Sequence, residues 1–152
     1  MPVQPLTLQA VVDRIASQCR TDDLYHLVDR AANASAAIAS REHAMPAAFV
    51  LEPGYSAIGT PNASGSVITA RVDYEIGVLT VVKNYGSSMA GVLQSQKAEA
   101  LRASLWVALV GWSPEATGFS LDLGRGSLLE FDDSVFYYLD TFVLQRRVRN
   151  NP

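Results

Sequence analysis

The side chains that could do chemistry are few and scattered. His26 follows the acidic pair Asp22 and Asp23, and His43 follows Glu42, but neither sits in a ligand-spaced motif such as H-E-x-x-H. Both histidines read as surface or structural residues. Asp132 and Asp133 could serve as paired carboxylates. They fall between two strand-like runs, where Asp favours turns, so the turn reading is preferred. Gly86-Ser87-Ser88-Met89-Ala90-Gly91 follows a strand and precedes a helix, as phosphate loops and nucleophile elbows do. It is not G-x-G-x-x-G, because Ser88 stands at the second glycine. It lacks the Lys-Ser/Thr ending of a P-loop, and Gly91 comes one residue late for G-x-S-x-G. A strand-to-helix connection with Ser87 or Ser88 as N-cap accounts for it. No catalytic residue, cofactor site or metal site is expected.

Composition narrows the classes further. The chain has 152 residues, an apolar fraction of 49%, a charged fraction of 18% and a formal net charge of −3. This length favours one domain over residues 1–152. The basic footprint of a nucleic-acid binder is missing from the balance of charges. The single cysteine, Cys19, excludes an internal disulfide and a multi-cysteine zinc site. No run approaches the ~18 apolar residues of a membrane-spanning helix. Met1–Leu8 has neither a basic region nor a long apolar run, so no secretory signal is expected. The expected setting is the cytoplasm, or a particle assembled there.

The elements that position these residues can be read from periodicity. Leu8, Val11, Val12, Ile15, Ala16 and Cys19 share one helical face, with Thr7 as N-cap and Asp13, Arg14 and Gln18 opposite. Leu24–Val28 reads as a short strand, Ala31–Ala39 as a second helix, and Ala47–Leu51 as a buried strand. Glu52–Ser66 is rich in turn formers (Pro53, Gly54, Gly59, Pro61, Asn62, Gly65) and reads as a flexible loop. Loops of that length are usually functional or mobile.

Period-two alternation marks Ile68, Ala70, Val72, Tyr74, Ile76 and Val78, and the run stays apolar to Val82. A strand from Ile68 to Val82 would reach about 50 Å. Either a bulge at Gly77 bends it, or it runs past its own core and requires cover from a neighbouring subunit. Leu93, Ala98, Leu101, Leu105, Ala108, Leu109 and Trp112 form the stripe of a long helix stopped at Gly111 and Pro114. Strands are expected at Phe119–Leu123 and Ser127–Phe131, separated by Gly124-Arg125-Gly126, and finally at Val135–Val148. The order predicts an α+β fold, a mostly antiparallel sheet with two or three helices packed on it.

Several segments resemble the phage tail terminator-like family of tailed phages and Mu-like prophages. Leu109-Val110-Gly111-Trp112-Ser113-Pro114 is similar to its L-x-G-W-x-P helix stop. Gly124-Arg125-Gly126-Ser127-Leu128-Leu129 resembles its glycine-containing turn and strand. Phe136-Tyr137-Tyr138-Leu139-Asp140-Thr141-Phe142 resembles its aromatic strand, and Met45-Pro46-Ala47-Ala48-Phe49-Val50-Leu51 its P-A-x-x-V strand. The order of elements matches over nearly the whole chain, although Pro114 and Phe119 stand closer together than in the family pattern.

The resemblance implies a virion structural protein without catalytic residues. It implies a homo-hexameric ring, assembled in the host cytoplasm, that caps the head-proximal end of the tail tube. Such a ring would bind tail-tube protein, stop tube polymerisation and present a surface to a head-side connector or stopper. DNA would pass through its lumen without specific binding. A head-tail stopper or completion protein of similar fold is the alternative, with a small ligand-binding protein or enzyme behind it. The residues singled out for protein interfaces are Tyr55, Ile58 and Pro61 in the long loop, Arg71, Asp73 and Glu75 on the long strand, and Arg146, Arg147 and Arg149 near the C-terminus.

Overall fold

The structure, a computed structural model, describes residues 8–19, 25, 27–39, 46–64, 67–83, 90–114, 120–131 and 135–150. Helix α1 spans Leu8–Gln18 and buries Leu8, Val11, Val12 and Ile15, the stripe that its spacing predicts. Thr7 lies outside the described residues. Strand β1 is Leu27–Ala31, later than the expected Leu24–Val28. Pairing decides the difference: β1 runs parallel to β2 (Ala47–Leu51), with Leu27 opposite Ala47 and Ala31 opposite Leu51. Ala31 therefore belongs to a strand, and helix α2 is Ala34–Ala39. Its start is set by Asn33, whose Oδ1 accepts the Ala36 N–H at 2.8 Å, an N-cap bond.

The expected loop over Glu52–Ser66 is corrected by the structure. Gly54–Ser64 forms strand β3, antiparallel to β4 (Val67–Lys83), from Gly54 opposite Glu75 to Ser64 opposite Val67. Gly59 and Pro61 fall within a register shift between Ile58 and Asn62. A proline is tolerated at a bulge, where the ladder needs no N–H from it.

Strand β4 pairs with β6 (Val135–Asn150) in unbroken antiparallel register, from Ile68 opposite Asn150 to Lys83 opposite Val135. The bulge considered at Gly77 does not occur. The glycine has a different reason: a Cβ there would lie 3.1 Å from a Leu139 methyl and 3.2 Å from a Leu51 methyl. Strand β5 is Asp122–Phe131, one strand where a turn between two was expected. Gly124 sits in a register shift against β6 that ends at Gly126, and a Cβ at Gly124 would come 2.7 Å from the Thr141 carbonyl oxygen. The glycines thus permit close strand contact instead of making a turn. Phe119 lies outside the described residues.

The sheet order is β1-β2-β4-β6-β5, with β3 also on β4. Among the described residues only β1 and β2 pair in parallel, so the fold is α+β with a mostly antiparallel sheet. Helix α3 (Ala90–Leu109) packs with α1 on one face, over Ala48, Val50, Ile76, Val78, Phe142 and Leu144. Helix α2 serves the other face, where Ala37 joins Phe49, Leu51, Leu79, Val81 and Tyr137. Gly111 has φ 82°, the left-handed conformation that closes a helix at little cost only with glycine. Its N–H donates to the Leu121 carbonyl at 2.9 Å, and Leu121 N–H returns to the Trp112 carbonyl at 2.8 Å.

Candidate assembly interface

The structure brings most of the expected interface residues together on an arm. Strand β3, the first half of β4 and the last half of β6 form a three-stranded part of the sheet that begins at the helix-covered core, at Tyr74 and Leu144, and runs on beyond it. Tyr55 stands opposite Tyr74 and Ile58 opposite Arg71, while Pro61 falls within the register shift. Arg147 stands opposite Arg71, Arg149 opposite Thr69, and Arg146 opposite Val72. Strand alternation sets Arg147 and Arg149 at positions of the same face as Arg71, Asp73 and Glu75, and sets Arg146 at the other.

Arg71 and Asp73 are side by side, with Nε 3.9 Å from Oδ1, an ion-pair separation too long for a hydrogen bond. Asp73 Oδ1 is buried and has no hydrogen-bond partner. Glu75 lies 3.7 Å from Arg125, a pair with both side chains well exposed. Exposed pairs of this kind add little stability. They border a shallow depression of about 370 Å³ on the face away from α3, lined also by Leu51, Glu52, Leu139 and Thr141.

A buried polar cluster around Asp140 escaped sequence reasoning. Asp140 is fully buried on β6 and accepts two hydrogen bonds from Arg102 of α3, at 2.8 and 2.9 Å. The indole N–H of Trp106 adds a third at 3.3 Å. The Arg102 guanidinium lies 4.9 Å from the Tyr138 ring centroid and 5.7 Å from that of Trp106. Hydrogen bonding to Asp140 raises the Arg102 pKa, against the opposing effect of burial. Gly126 stands opposite Asp140, and a Cβ there would come within 2.6 Å of Oδ1. The signal was present: a lone carboxylate in an aromatic strand must be paired if it is buried.

Arg14, expected on the solvated side of α1, reaches the C-terminal end of α3. Its Nε donates to the Ala108 carbonyl at 2.9 Å, and its guanidinium lies 5.5 Å from the Trp112 ring centroid. Tyr25 and Thr80 share a buried hydroxyl contact of 2.9 Å, and burial pushes the Tyr25 pKa upward. Burial likewise raises the Cys19 thiol pKa, which holds it in the unreactive protonated form.

Among the described residues, the exposed large apolar side chains lie on α3, directly after it and on β5. Val107 is 83% exposed, and Trp106, Val110, Leu123, Leu128 and Leu129 are all more than a third exposed. Strand β5 ends the sheet order, so its outer backbone edge is open among the described residues. Open apolar edges are ready sites for association.

Among the described residues there is no group of three or more His, Cys, Asp or Glu that could hold a metal ion. No described helix is long and apolar enough to cross a membrane. His26, His43, Asp132, Asp133 and Gly86–Met89 lie outside the described residues.

An α+β domain with an arm, an open edge and exposed apolar helix surface has the features of an assembly protein. The family comparison agrees: the model described as phage tail terminator protein matches residues 1–152, the whole chain. The chain belongs to the phage tail terminator protein family, and its role is that of a structural component of the phage tail. A comparison with curated proteins finds no significant match.

Proposed function

We propose that this protein caps the head-proximal end of the phage tail tube, stops tube polymerisation and presents the surface on which the head-side connector or stopper is joined. The observation that carries this reading is the family match over the full length. The open β5 edge and the exposed Val107, Val110, Leu128 and Leu129 support it, since a capping protein must bind neighbours on more than one side. The working form is a homo-hexameric ring, built from head-to-tail contacts that close. DNA passes through the lumen without specific binding, in keeping with a net charge of −3. The protein performs no catalysis in this role and uses no cofactor.

End labelling tests the placement. Gold-tagged protein is added to preformed tail tubes of the same phage and imaged by electron microscopy. The expected result is one label cluster at one end of each tube. Label spread along the tube walls, or none on tubes but binding to connector, would place the protein on the head side instead.

A further inference from the structure

Two strands end the sheet order, β1 on one side and β5 on the other, and each pairs with a single neighbour among the described residues. They stand at the same level of the sheet. The row through Val28 runs by way of Ala48, Thr80 and Tyr138 to Leu128. The next row runs from Asp29 through Phe49, Leu79 and Leu139 to Ser127. Strand β3 lies at another level, since of its β4 partners only Glu75 stands in a row that β5 reaches.

The strand directions also match. Strand β1 runs with β2 and β6, whereas β4 and β5 run against them. Repeating the sheet edge to edge in one sense sets β5 of one copy antiparallel to β1 of the next, the more stable kind of ladder. A cyclic ring turns each copy without raising it, so edges at one level meet.

The side chains along the two edges are complementary on both faces. On the α3 face, Leu128 is 47% exposed, and Val28 is only partly buried against the core. On the α2 face, Arg125 is 83% exposed and is met only by Glu75 at 3.7 Å. Asp29 is exposed and is folded back on its own strand, where its Oδ1 accepts the Arg30 N–H at 2.8 Å. The Ala31 carbonyl accepts the Glu52 N–H on the β2 side, so alternation turns the Arg30 N–H outward. Asp29 thus covers an outward donor of β1, as charged side chains guard many sheet edges.

We propose that β5 of one copy adds to β1 of the next as an antiparallel strand, with Leu128 beside Val28 and Arg125 diagonal to Asp29. The pairing rests on the ring reading above, and it goes further by assigning both edges of the contact and their register. Diagonal cross-strand neighbours lie about 7–8 Å apart, within reach of an arginine. On pairing, Asp29 turns from its own backbone to Arg125, and the Arg30 N–H is freed for a carbonyl of the incoming strand.

The test is the position of a cross-link, not association. Full-length Val28→Cys/Leu128→Cys protein is oxidised alone and on tail-tube ends, beside the two single variants and the wild type. The double variant is expected to form disulfide-linked multimers, because paired strands bring Cα atoms within disulfide range. The single variants and the wild type are expected to stay unlinked, the native Cys19 being buried. A charge exchange checks the register without cysteines. Asp29→Arg and Arg125→Asp are each expected to weaken association about tenfold, and the combined variant to restore it.

No link in the double variant, together with no rescue in the exchange, would overturn the pairing. Linking of Leu128→Cys alone would replace it with two β5 edges meeting about a two-fold axis. Rings seen by electron microscopy in the unlinked samples would leave the ring reading standing without this contact. Absence of rings, links and tube-end labelling together would remove both.

Discussion

At the scale of single residues, the Arg102–Asp140 pair ties α3 to β6 through two hydrogen bonds. Its members are unequally placed: Asp140 has no exposed side-chain surface, whereas Arg102 retains 19%. Removing one partner of a buried pair costs more than the pair contributes, because the other charge is stranded. Arg102→Ala strands a carboxylate that cannot reach water, and about 3–5 kcal/mol of stability is expected to be lost. Asp140→Ala strands a guanidinium that can turn toward solvent and keep its aromatic contacts, so a smaller loss is expected. Urea unfolding of the two variants checks the order. Equal losses would mean that Asp140 finds other donors or water.

At the scale of elements, legibility followed the source of each signal. Helix α1, strand β2 and the stop of α3 were plain because apolar spacing and a left-handed glycine are local properties. The long strands β4 and β6 were also legible, β4 from its alternation and β6 from its apolar run, while their pairing within one chain came from the structure. Strand β3 was missed because its composition is that of a loop, and only pairing with β4 makes it a strand. Gly124 and Gly126 read as a turn for the same reason, as only the approach of Thr141 and Asp140 shows what they are for. Of the candidate interface, the arginines and the alternating charges of β4 were visible, while the exposed apolar patch on α3 and β5 was not. The stripe of Leu105, Ala108 and Leu109 was read as buried and is, which leaves Trp106, Val107 and Val110 off the covered face, although their exposure was not drawn from it.

The contact between α1 and α3 offers the matching prediction. Trp112 is half-buried, packed on the core and covered by Arg14. Trp112→Ala is expected to cost about 3 kcal/mol, the low end for loss of a large aromatic side chain. The measurement is again denaturant unfolding. A change near zero would mean that the segment after α3 holds itself without the indole.

At the scale of the whole molecule, β4 and β6 run on past the core residues that the helices cover, and four of the chain's twelve Lys and Arg residues lie on those ends. A protein that acts alone has little use for either feature. A protein that closes a ring on a tube end must contact its neighbours, the tube and the head-side partner through separate surfaces. The arm, the β5 edge and the outer side of α3 are three separate surfaces on which the contacts proposed above can be sought. The measurement that tests this account most directly is tube-length arrest. Tail-tube protein of the same phage is allowed to polymerise with increasing amounts of this protein, and lengths are scored by negative-stain electron microscopy. The account predicts shorter tubes, each bearing a ring at one end, with growth halted at the capped end. Tubes of unchanged length without a ring would contradict it.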